Sequence, residues 1–164
     1  SAIRLALADV ADADLRGVFS KCATAFADNA ASTFGTLMAT MFMAAGRTVK
    51  GKETMGPAEA AAALKAAADG VQQRGKAELG DKTVLDALIP AADAAGQATS
   101  QGLTLAACLE AALSAAEQGA ESTVHMRARA GRSGWLGDRT VGVKDPGAAA
   151  LVLLLQSVVR FVNH

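Results

Sequence analysis

The sequence predicts an all-α protein, and three observations predict it. Alanine, the strongest helix former, supplies 40 of the 164 residues. Aromatic residues make up only 4%, and no segment alternates apolar and polar residues as a half-buried strand would. Apolar residues instead recur at helical spacing between breaks marked by Gly and Pro. The apolar fraction of 51% excludes a disordered chain, and 16 basic against 16 acidic side chains removes the footprint of a nucleic-acid binder. The length suits one domain, residues 1–164, with enough chain to bury a core.

Each element follows from local signals. Residues 1–13 read as a helix carrying Ile3, Leu5, Leu7 and Val10 among small residues. Residues 17–27 form a second apolar segment, and residues 34–45, rich in Met, a third that ends at Gly46. After a polar loop over 47–56, Pro57 suits a first helical turn, and 58–73 places Leu64, Ala67, Ala68 and Val71 on one face. Residues 75–83, GKAELGDKT, form a loop, and 84–98 a helix expected to kink at Pro90. Residues 104–118 are a strongly Ala/Leu helix that could extend to Arg127. Residues 130–144 form a loop with four Gly, two Arg and the only Trp. Asp145 as N-cap and Pro146 at the first helical position then open the last helix.

That last helix contains the most apolar run, AAALVLLLQSVVRFV at 148–162. A membrane span needs about 20 apolar residues, and this run includes Gln156 and Arg160, so it reads as a buried terminal helix. The first ten residues carry Arg4 and Asp9 and no cleavage pattern, so the expected compartment is the cytoplasm. Cys22 and Cys108 match no metal or redox spacing and read as reduced, buried thiols.

Two Gly-rich, charged segments, 74–86 and 131–148, lead directly into helices, where an anion could sit. Their text is specific. RGKAELGDKTVLDAL (74–88) resembles the RGKAxxGDKTMLDAL signature of the dihydroxyacetone kinase L domain. GRSGWLGDRTVGVKDPGA (131–148) is similar to that family's GRASYLGERSIGHQDPGA, and STFGTLMATMFMAAG (32–46) resembles the segment reading SGPLFGTFF in many members. The resemblance covers roughly residues 17–164.

It implies an antiparallel eight-helix barrel that binds ADP or ATP in the loops at one end. A partner K subunit or domain would hold the short ketose, and the L domain would supply the phosphoryl group. The donor would be free ATP or a phosphotransferase protein, and a homodimer is compatible. By the motif, Gly75 would meet the nucleotide by its backbone, and Val84, after Thr83, would pack on the adenine in place of the family's Met. Arg132, the one catalytic candidate, would reach the phosphates with a forked guanidinium. Asp145, Pro146 and Gly147 would flank the nucleoside. Ala31 and Ser32 would match the family's phosphate-binding Ala-Ser pair, with Asn29, Ala30 and Thr33 as alternatives across a small gap. Each has a plainer reading: Asp145 and Ser32 as helix caps, Val84 as core. His125 is expected to be structural.

The family also implies two Mg²⁺ ions held by three Asp carboxylates in a GDxDHG-type loop, since phosphoryl transfer needs its charge neutralised. This chain has no such loop. The nearest text runs from Asp9 through Asp12 and Asp14 to Arg16; if helical, Asp9 and Asp12 share a face and Asp14 points away, so the three read as solvated. The other motifs are intact, so we expect a segment to be missing near residues 13–15, which an intact mass above 16.5 kDa would reveal. Val143-Lys144, where the family has His-Gln, and Val84 suggest a branch away from the best-known members. A metal-free nucleotide- or partner-binding module and a fatty-acid-kinase-like domain are the alternative readings.

Overall fold

The computed structural model describes residues 14–30 and 32–164, without the side chains of Arg132 and Ser133. The helix expected over residues 1–13, with Asp9 and Asp12, lies outside the described residues, as does Ala31. Six α-helices follow in order: α1 (Leu15–Asn29), α2 (Thr33–Thr48), α3 (Pro57–Gly75), α4 (Leu85–Ser100), α5 (Leu105–Ser122) and α6 (Pro146–Val162). Two 3₁₀ segments, Thr123–His125 and Arg132–Thr140, lie between α5 and α6. No strand occurs among the described residues.

The helix starts obey their caps. Asp14 accepts from Gly17 N–H at 2.9 Å, Ser32 from Gly35 N–H at 3.1 Å, and Asp145 from Ala148 N–H at 2.8 Å. These side chains satisfy N–H groups that have no partner within the helix. Each helix packs against its sequence neighbours, and α6 also reaches α4. Packed neighbours joined by short links run antiparallel. Links 30–32, 76–84 and 123–145 therefore share one end of the bundle, and links 49–56 and 101–104 share the other.

Alanine does the packing. Ala63 and Ala67 on α3, Ala91 and Ala95 on α4, and Ala112 and Ala116 on α5 are all buried four residues apart. Such small-residue stripes let helix axes approach closely. Leu85, Leu88 and Leu151 fill the space that remains, and Phe26 stacks on Phe42 at 5.5 Å to join α1 to α2.

Some expectations hold and others change. Helix α4 runs from Leu85 to Ser100 through Pro90, in line with the helix expected over 84–98. Pro90 has no N–H to offer the Asp86 carbonyl, and α5 closes over that carbonyl with Gly119, where a Cβ would lie 2.0 Å from the oxygen. The loop expected over 130–144 contains the 3₁₀ segment Arg132–Thr140, broken at Gly137, where φ is +53°. The terminal helix is buried on one face only: Leu151 and Leu155 are inside, while Leu153 and Phe161 are exposed. No helix among the described residues is long and apolar enough to cross a membrane. Asp14 is no freely solvated carboxylate: besides capping α1 it accepts from Gly51 N–H at 2.8 Å. Those two backbone bonds, Gly51 first, hold its carboxyl below the usual range. Cys22 and Cys108 are both free thiols, the first half-buried and the second buried.

Candidate functional site

The three links at one end enclose a cleft of about 860 Å³, within the range of small-molecule sites. Eight of the candidates from the sequence line it, while the alternatives Asn29 and Ala30 do not. Ser32 and Thr33 come from the start of α2, and Gly75 from the end of α3. Thr83 and Val84 precede α4, and Asp145, Pro146 and Gly147 open α6. Gly131 lines the cleft next to Arg132 in the chain. The Arg132 side chain and Ala31 lie outside the described residues.

The cleft's chemistry has two halves. Phe34, Leu37, Val71 and Val84 supply apolar wall suited to a flat ring. The starts of α2, α4 and α6 converge on the rim. Helix N-termini present N–H groups and a positive partial charge, so the rim favours an anion. Arg74 and Lys82 add cations to the lining.

Two lining residues that the sequence reading passed over, Arg74 and Lys82, differ in role. Arg74 is exposed at the end of α3. Lys82 is 5% exposed and has φ of +61°, in the left-handed region. Its Nζ donates to Met126 O at 3.0 Å and also to Thr140 O, so it clasps the link before α4 to the link before α6. Arg129 N–H donates to Asp81 O at 3.1 Å beside that clasp. A buried charged residue on a Gly-rich link has no signature in hydropathy, though the polar GDKT text in a buried position was the available signal.

Asp145 is the only cleft residue with a shifted carboxyl. Burial pushes it up and the nearby Asp86 carboxylate adds to that, against the Ala148 and Gly147 N–H groups and Lys82, which pull it down. The folded protein therefore holds this proton more tightly than the unfolded chain. Stability from this group falls as pH rises from the ordinary aspartate range through the raised one, and returns below it. Asp145→Asn keeps a cap acceptor and drops the charge. We expect it to flatten that pH dependence and to change neutral-pH stability by under about 1 kcal/mol, whereas Asp145→Ala loses the cap. Thermal midpoints at mildly acidic and neutral pH check this; an equal pH slope in Asp145→Asn and the parent would contradict it.

Metal ligands are a different matter. Among the described residues no group of three His, Cys, Asp or Glu is placed to hold a metal ion. Asp14 stands at the start of α1, and the cleft lies beyond its end. Fifteen residues at 1.5 Å each separate them by roughly 20 Å. The described carboxylates do not fit the two-Mg²⁺ site that the motif resemblance implies.

Fold and cleft together define an all-helical domain with a ligand-sized cleft made of helix starts and links. The DAK2 domain family matches residues 1–160, and the chain belongs to that family. It is 35% identical over 147 residues to the ADP-binding subunit DhaL of the PEP-dependent dihydroxyacetone kinase of Escherichia coli, covering 90% of this chain and 70% of that one. It is 32% identical to an L-erythrulose 1-kinase of Mycolicibacterium smegmatis, over 82% of this chain but 23% of the relative. Among solved structures it resembles the dihydroxyacetone kinase of C. freundii, with a TM-score of 0.65 and 26% identity over 90% of this chain. The same kinase in complex with AMP-PNP and Mg²⁺ matches with a TM-score of 0.61. The chain spans about a quarter of those solved chains, 24% and 23%.

Proposed function

We propose that this chain is the nucleotide-binding, phosphoryl-donor domain of a short-ketose kinase of the dihydroxyacetone type. The observation that carries the proposal is the single cleft on which the motif residues meet, with apolar wall for a base and helix starts for phosphates. The relatives' ADP-binding subunits support the same reading. ADP or ATP would lie with its base and sugar toward Val84 and the start of α6, which stand side by side, and its phosphates toward the start of α2 and Arg132. A separate K subunit or domain would hold the ketose, so turnover needs both proteins. The phosphoryl donor would be ATP itself or a phosphotransferase protein that reloads bound ADP.

Arg132 is the residue we assign to the phosphates, as a forked donor that stabilises charge on the transferred group. Mg²⁺, if bound, would neutralise phosphate charge; its ligands would have to come from outside the described residues. Isothermal titration with ADP tests the proposal. We expect binding, and Arg132→Met should weaken it by roughly 10–100-fold, the effect of losing a charge-assisted pair. Equal affinity in Arg132→Met would remove Arg132 from the site. Titration with and without Mg²⁺, together with the intact mass, separates a kinase domain from a nucleotide-binding module without metal.

A further inference from the structure

Asp86 is the most deeply buried acid on the described chain, at 1% exposure, and it lies just behind the cleft. Its partners are backbone groups. Oδ1 accepts from Gly80 N–H at 2.6 Å and Oδ2 from Thr83 N–H at 2.7 Å. Both oxygens are spent on closing the turn that delivers Thr83 and Val84 to the cleft. That turn holds Lys82 in a left-handed conformation, which a lysine adopts only when its surroundings compel it. Lys82 in turn reaches Met126 O and Thr140 O on the opposite link. The backbone of Asp86 is fixed independently, because its carbonyl is packed against Gly119 of α5. One carboxylate, anchored by the α4–α5 contact, thus sets one wall of the cleft directly and the other through Lys82.

We propose that Asp86 is a positioning residue for nucleotide binding: its carboxylate presets the Gly80–Thr83 turn before the ligand arrives. The proposal rests on the nucleotide reading of the cleft. Asp86→Asn matches the shape but replaces one acceptor oxygen with an NH₂ group, which faces an N–H donor and cannot accept from it. The test compares ADP titration, thermal unfolding and amide NMR for the parent and Asp86→Asn. The expected result is retained helical content, ADP affinity weakened by about tenfold, and upfield-shifted, faster-exchanging Gly80 and Thr83 amides. A purely structural role would lower the melting point without a separate loss of affinity in the folded variant.

Folded Asp86→Asn that binds ADP like the parent overturns the proposal. If that variant does not fold, the parent's own amides decide: protection of Gly80 and Thr83 comparable to that of α4 supports the preset turn, and exchange at exposed-loop rates overturns it. Failure of the parent itself to bind ADP overturns the nucleotide reading instead, and with it the ligand side of this proposal.

Discussion

Gly119→Ala is expected to destabilise the protein by about 3 kcal/mol and to lower its unfolding midpoint by roughly 10 °C. Two effects oppose each other at this position. Alanine in place of glycine within a helix is worth about 1 kcal/mol of propensity. Against that, the new Cβ would lie 2.0 Å from the Asp86 carbonyl oxygen and 3.1 Å from Ala87 Cα, both backbone atoms that no rotamer change can move. Helices α4 and α5 must part, and both pack through buried alanines. The clash therefore outweighs the propensity. Gly96 supplies the control, for it lies on exposed α4 surface and a Cβ there meets nothing within 4 Å. Gly96→Ala should stabilise by about 0.5–1 kcal/mol. Thermal or urea unfolding of the two variants checks the pair. A gain in Gly119→Ala equal to that in Gly96→Ala would mean that α4 and α5 are not in the contact described.

Lys82→Met is expected to loosen the α5–α6 link and weaken ADP binding together. Methionine keeps much of the stem but leaves Met126 O and Thr140 O without the ammonium that donates to both. Thr140 O keeps the Val143 N–H at 3.4 Å, but an unpaired Met126 O is costly, and a hydrogen bond to a charged group contributes about 1.5–3 kcal/mol. Loss of the cation also removes one of the influences that pull the Asp145 carboxyl down, so that group should rise further. The measurable consequence is trypsin cleavage at Arg127, Arg129 or Arg139 about tenfold faster than in the parent, with a comparable loss of ADP affinity. Unchanged cleavage and affinity would show that the two links are held together by something other than Lys82.

The helix starts were legible because their chemistry is local. Pro57 at a first turn and Asp145-Pro146 at another each act within three residues, and both stand where the pattern puts them. The candidate site residues came from motif text, and Ser32, Thr33, Gly75, Thr83, Val84, Asp145, Pro146 and Gly147 share one cleft. What was not legible depends on distance. Asp86 looks like an ordinary first-turn acid, and only the fold shows that Gly80 and Thr83 consume it. Lys82 looks like a solvated loop cation, and its burial comes from a link more than forty positions away in the chain. Pro90 leaves the Asp86 carbonyl without its helical donor, and only the fold shows that Gly119 of the next helix packs against that carbonyl. Ser32 caps α2, as its plainer reading has it, and also lines the cleft.

The most direct test of the account is amide chemical-shift mapping of the purified chain titrated with ADP. Saturable shifts are expected at Thr33, Gly75, Thr83, Val84, Gly131 and Gly147, which surround one cleft from five separate stretches of sequence. An absence of saturable shifts, or shifts centred on the groove between α3 and α4 at Lys65 and Gly96, would contradict it.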